Sequence, residues 1–407
     1  MVHHTINTKM PPAASASSKM SPMSRVLNVL HRVLIVGMLS ACSTPQVRMP
    51  PVETVSSSVP SSPVDRSPEP VPPGSGSIPS LPGSRWVPVS WSELPGWGSD
   101  DLSDTWPALL HSCQKPRPDW VSVCPEMKLL SQADAAQQKR FLTQRFTPHR
   151  IESPDGRSQG LLTAYFEPVL TASRTRKPGF EVPLYAPPAG LSRARDAGPW
   201  YSRREIETLA AAQAALRGRE IAFLRDPVDA MVLHIQGSGR LMVEEPNGQI
   251  RAVRLSFAAT NQHPYQSIGR WLLDRQLVKD ASWPGIKAWL AANPQRRNEL
   301  LWANPRYVFF REVPLNDPQV GPTGAMGVPL TTGRSIAIDP RSMPYGTPVW
   351  LASDGATTLR RLVVAQDTGS AIVGAVRADY YAGSGDAAGE WAGRVRQDLR
   401  LWALWPR

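Results

Sequence analysis

The segment Arg361-Leu-Val-Val-Ala-Gln-Asp367-Thr368-Gly369-Ser370-Ala371-Ile372 decides how the rest of the chain is read. Its first half is an apolar, β-branched run of strand length that ends by projecting a carboxylate at a glycine turn. An aspartate so placed has two physical roles: it can cap its own backbone as an Asx turn, or it can stand at the end of a sheet as an acid. Two more carboxylates, Asp339 before Pro340 and Asp379 before Tyr380-Tyr381, fall in the same part of the chain.

Working outward, Tyr307–Arg311, Thr347–Ala352 and Leu359–Gln366 read as short strands separated by glycines and prolines. That pattern predicts a small β-barrel. Further upstream, Leu161–Phe166 and Phe180–Tyr185 read as extended, and Ala230–Ile235 as a buried strand leading into Gln236-Gly237-Ser238-Gly239. Helices are predicted over Glu126–Phe146, over Ser202–Leu216 with a Ser202/Glu205 capping box and Gly218 beyond its last turn, and over Tyr265–Val278.

The front of the chain is different in kind. Residues 1–41 carry Lys9, Lys19, Arg25 and Arg32 and no acid, then the apolar run Val33–Leu39 and Leu39-Ser40-Ala41-Cys42. This reads as a signal peptide ending in a lipobox-like site, with Cys42 as the lipidated residue of the mature chain. Ser43 follows in place of an aspartate, which by sorting analogy predicts the periplasmic face of the outer membrane. Residues 42–83 are rich in proline and serine, without apolar periodicity, and read as a tether.

The chain has 407 residues, 41% of them hydrophobic, which is enough for two domains behind that tether. Its formal charge is +11; without the four signal-peptide cations, 41 basic residues stand against 34 acidic ones, about +7. An exported basic protein suits anionic membrane surfaces or a carboxylate-bearing wall polymer, and export excludes nucleic acid as a partner. Cys113 and Cys124, the other two cysteines, are expected to form a disulfide in an oxidising compartment. Closing so short a loop contributes only about 2 to 3 kcal/mol. No metal-ligand spacing of histidines or cysteines and no Gly-Lys-Ser/Thr phosphate loop is present, so no metal or cofactor is expected.

Six motifs in order then resemble the membrane-bound lytic murein transglycosylase A family, whose C-terminal part is the 3D domain. They are Tyr165-Phe-Glu167-Pro168, Gln236-Gly-Ser-Gly239, Tyr265-Gln-Ser267-Ile-Gly269, Asn304-Pro-Arg-Tyr-Val-Phe-Phe310, Pro329-Leu330 with Arg334-Ser-Ile-Ala-Ile-Asp339, and Gln366-Asp-Thr-Gly-Ser-Ala-Ile372. The resemblance implies a mainly β fold with N-terminal helices, in which a double-psi β-barrel (84–160 and 305–407) carries an inserted glycan-binding β-domain (161–304), with a groove between them. It implies Asp367 as the catalytic acid, Asp339 and Asp379 shaping its surroundings, and Tyr165, Glu167, Gln236, Gly237, Ser238, Gly239, Ser267 and Gly369 along the substrate. A salt bridge is the bland alternative for Glu167, and a plain turn the bland alternative for 236–239. The implied partners are peptidoglycan strands and, beyond them, a cell-wall remodelling complex. Ser370 and Val373 depart from the glycine and lysine usual in the family, which puts any contact made by that lysine in doubt.

Three rivals share these features. Asp-Thr-Gly-Ser also matches the aspartic protease loop, but that chemistry needs two carboxylates sharing a proton and the chain has no second Asp-Thr/Ser-Gly. A wall-binding lipoprotein without turnover would have the same groove. An ordinary glycosidase would use a carboxylate pair.

Overall fold

The computed structural model describes residues 78, 81–191 and 198–407. Cys42, the signal segment and all but the last few residues of the tether lie outside them. In chain order the elements are β1 (Arg85–Pro88), α1 (Trp106–Ser112), α2 (Cys124–Leu129), α3 (Ala135–Arg145), β2 (Phe146–Glu152), β3 (Gly160–Glu167), β4 (Val169–Ser173) and β5 (Val182–Tyr185). There follow α4 (Arg203–Thr208), α5 (Ala210–Leu216), β6 (Glu220–Leu224), α6 (Pro227–Gln236), β7 (Ser238–Glu244), β8 (Ile250–Thr260), α7 (Ile268–Asp274), α8 (Trp283–Ala292), α9 (Arg297–Trp302) and β9 (Val308–Pro314). The chain ends with β10 (Ser335–Ile338), β11 (Pro348–Asp354), β12 (Leu359–Asp367), β13 (Arg377–Ser384), α10 (Asp386–Ala392) and β14 (Arg396–Pro406).

The strands form two sheets. In the first, β14, β11, β12, β10, β13 and β3 follow one another, and a further β14–β3 pairing closes the ring; β2 and β1 extend it from β14. The second has the order β5-β6-β4-β7-β8-β9. The fold is therefore mostly β, with one nearly closed, barrel-like sheet. The chain passes from the first sheet to the second between Glu167 and Val169 and leaves the second after Pro314.

Burial explains why the ring holds. β10 and β11 are almost wholly buried, and Ile336, Ile338, Val349, Leu351, Val363, Ala365 and Leu401 pack inside it. On the outside, Trp350, Leu362, Trp402 and Trp405 pack against Trp106, Leu109, Trp120, Phe141 and Leu142, so α1–α3 cover one flank. Cys113 and Cys124 are joined across this helical layer, with Cα atoms 5.5 Å apart.

Three local readings are corrected. Ala230–Ile235 is not a strand but the heart of α6, because Asp226 caps Val228, Pro227 sits in the first turn and Gly237 ends the helix at φ +78°. Glu126–Phe146 is two helices, because Asp134 and Gln137 form a capping box inside it and start α3 afresh. Ser202–Leu216 starts at the expected capping box but is split at Leu209, which has extended dihedrals.

Candidate active site

One arrangement of strands sets the site. β10 lies between β12, to which it runs parallel, and β13, to which it runs antiparallel. Ala337 is paired with Asp367 on one side and with Asp379 on the other. A register irregularity between Ile336 and Ala337 re-aims the pleat here. The two aspartates thus flank a single residue, two strand spacings or about 9 to 10 Å apart along the sheet.

Both acids line a cleft of about 540 Å3, together with Tyr165, Gln236, Gly237, Ser238, Tyr265 and Thr368–Ile372. Asp367 Oδ2 accepts a hydrogen bond from the Tyr165 hydroxyl at 2.8 Å, and Oδ1 accepts one from the Ala325 backbone N–H at 2.9 Å. Ala325 can reach it because Gly324 approaches β12 so closely that a β-carbon would lie 2.5 Å from the Gln366 carbonyl oxygen. Burial raises the Asp367 carboxyl above its ordinary range, against the lowering effect of the Ala325 and Tyr165 hydrogen bonds. Tyr165 is itself buried and beside this carboxyl, which holds its hydroxyl protonated far into the alkaline range.

Asp379 is raised as well, first by burial and further by the Asp367 charge, while the Thr163 hydroxyl donates to it and the Arg377 charge draws it down. Asp339 behaves in the opposite way. Although burial pushes it up, Arg341 binds both of its oxygens, and the backbone N–H groups of Arg341 and Gly374 donate to it, which holds it below the usual carboxylate range. Asp339 does not line the cleft; it ties the loop that follows Asp367 to the end of β10.

The other expected site residues divide. Gln236 accepts from the Phe166 N–H at 3.0 Å, and with Gly237 and Ser238 it forms the turn from α6 into β7 that lines the cleft. Gly369 lines it also. Gly239 is buried in β7, and Ser267 caps α7; neither is a lining residue. Glu167 is fully buried and bonded to Arg240 at 2.7 Å and Arg254 at 2.6 Å, so it stands as a structural ion pair outside the cleft. The lining residues Ser256, Phe257, Arg311 and Ala325 were not singled out from sequence, because only the pairing of β7, β8 and β9 and the 321–327 loop brings them to the cleft, whereas Asn304 and Arg306 lie in the quoted motif 304–310.

The chain is similar to proteins of known family. The MltA specific insert domain matches residues 161–311, and the 3D domain matches residues 334–405. The membrane-bound lytic murein transglycosylase A of Escherichia coli K12 is 32% identical over 266 residues, covering 63% of this chain and 68% of the relative. The chain belongs to the membrane-bound lytic murein transglycosylase A family. Among solved structures, the lytic transglycosylase LtgG of Burkholderia pseudomallei is 41% identical, with 83% of this chain and 100% of that one covered and a TM-score of 0.55. E. coli MltA with bound chitohexaose is 27% identical, with 75% and 90% covered and a TM-score of 0.61. As expected of a family member, the segment that carries Asp367 lies within the match to the 3D domain.

Proposed function

We propose that this protein is a peptidoglycan lytic transglycosylase that cleaves the β-1,4 bond between N-acetylmuramic acid and N-acetylglucosamine, with Asp367 as its acid and base. The observation that carries this reading is the placement of Asp367, a buried carboxyl at the end of a barrel strand, held by Tyr165 and the Ala325 N–H and opening into a cleft lined from both sheets. To donate to the bridging oxygen as the bond to C1 breaks, Asp367 must start protonated, the form that burial favours. The C6 hydroxyl of the same muramic acid then attacks C1 and returns its proton to Asp367. The product carries a 1,6-anhydro ring, and no water is consumed. Tyr165 and the Ala325 N–H keep the carboxylate oriented and stabilise it in the moment it is ionised.

A second reading has one specific support. Asp379 lines the same cleft, and a hydrolase would use such a pair of carboxylates. Among the described residues no carboxyl hydrogen-bonds to Asp367, which speaks against the shared proton of an aspartic protease.

The finer features belong to the same proposal. The ring with two parallel pairings, β10–β12 and β13–β3, suits a double-psi barrel. The domain at 161–304 is read as the glycan-holding insert, its edges moved by sheet membership to about 168 and 314. Cys42 is read as the lipid anchor, which puts the protein on the periplasmic face of the outer membrane, within reach of a cell-wall remodelling complex.

The test is turnover. Purified sacculi should release soluble muropeptides with the wild-type protein, and Asp367→Asn should lower the rate by about a hundred- to ten-thousandfold while leaving the fold intact. A folded variant of unchanged rate would remove Asp367 from the mechanism.

A further inference from the structure

The buried and half-buried guanidinium groups of Arg174, Arg240 and Arg254 in the inserted β-domain are paired with acids. Arg174 bonds both Glu245 and Glu312, and Arg240 and Arg254 share Glu167. Two arginines that line the cleft, Arg306 and Arg311, have no such partner. Arg306 is half-buried, and its side chain has a single contact, from Nη1 to the His263 carbonyl oxygen at 3.4 Å. Arg311 donates only to the Phe257 carbonyl oxygen, at 2.7 Å. Among the described residues no carboxylate lies within ion-pairing distance of either.

Arg306 is held in this position. The Arg203 guanidinium donates to the carbonyls of Asn304 and Arg306, at 3.2 and 2.9 Å, and the Asn304 side chain accepts the Arg306 N–H. Burial also lowers the pKa of the Arg306 guanidinium, with no neighbouring acid to offset the effect. A half-buried cation without a counter-charge costs free energy unless a ligand supplies the anion.

We infer that Arg306 and Arg311 form an anion subsite on the wall of the cleft contributed by the inserted domain, which binds a carboxylate of the glycan substrate. The inference rests on the transglycosylase reading for its substrate class. A peptidoglycan strand offers such carboxylates from two sources, the lactyl group of a muramic acid stripped of its peptide and the acids of an attached peptide stem. A polymer of N-acetylglucosamine offers none. The subsite therefore makes the cleft select wall glycan over neutral chitin-type glycan.

Binding separates these cases without turnover, using the full chain in detergent with Asp367→Asn so that no probe is cut. The probes are chitohexaose, a hexasaccharide of wall glycan stripped of its peptides, and the same hexasaccharide bearing them. We expect the carboxylate-bearing probes to bind about tenfold or more tighter than chitohexaose. Arg306→Gln with Arg311→Gln should shrink that ratio towards one, and Arg306→Lys should preserve part of it. A preference for the stripped probe alone identifies the lactyl carboxylate; a preference for the peptide-bearing probe alone identifies the stem. Equal affinity of the parent chain for charged and neutral probes would overturn the subsite, as would a ratio unmoved in the Gln variants. If those variants fail to fold, the parent chain's ratio at low and high salt decides, since a charge-based preference must fall with salt. A chain that holds wall glycan but whose wild-type form never cuts it would overturn the transglycosylase reading and leave the subsite standing.

Discussion

At the scale of single residues, the site rests on three aspartates whose surroundings push them apart. Asp339 is held ionised by Arg341 and two backbone N–H groups, while burial keeps the Asp367 and Asp379 carboxyls protonated to higher pH. Tyr165 is the adjustable contact, because its hydrogen bond favours the ionised form of Asp367. Removing that bond raises the Asp367 pKa further. The acid then stays loaded to higher pH, so Tyr165→Phe should lower kcat and move the alkaline limb of the pH–rate profile upward. A limb that moves down, or stays in place, would contradict this role. Asp367 was legible as a carboxylate at a strand end, but its own residues left turn cap and acid both open, and only the resemblance implied the acid. Ala325 was not legible, because nothing in its local sequence shows that the close approach of Gly324 to β12 carries its N–H to the acid.

At the scale of elements, the cleft depends on how the end of β3 is fixed to the second sheet. Glu167 does this by accepting from Arg240 on β7 and Arg254 on β8, and Arg254 in turn donates to the carbonyls of Val320 and Gly321, at the head of the loop that ends on Ala325. Glu167→Gln would leave two buried guanidiniums short of a charge and should cost about 3 to 5 kcal/mol in denaturant unfolding. Loosening of the loop should lower turnover as well. A change below about 1 kcal/mol would show that the ion pair does not fasten β3. The element most misread from sequence has a related lesson. Ala230–Ile235 is apolar but for His234, and so short a run has no clear period to separate helix from strand. The decisive signals lay at its ends, in Asp226-Pro227 and Gly237. By contrast, β11 and β12 and the Ser202/Glu205 cap stood out because their own residues specify them.

At the scale of the whole molecule, the barrel-like sheet and the second sheet bring residues 165, 236–238, 306 and 367 to one cleft, although they lie far apart in the chain. No helix among the described residues is long and apolar enough to cross a membrane. The proposed anchor at Cys42 is tested separately: Cys42→Ala should move the protein from the membrane fraction to the soluble one, and a variant that survives a carbonate wash on the membrane would refute it. The central claim, that the substrate's own C6 hydroxyl replaces water, is tested most directly by digesting sacculi in water enriched in heavy oxygen and weighing the products. The products should be muropeptides one water lighter than hydrolytic ones, ending in a 1,6-anhydro ring and free of the label. Labelled reducing ends would contradict it and would bring Asp379 forward as the second carboxylate of a hydrolase.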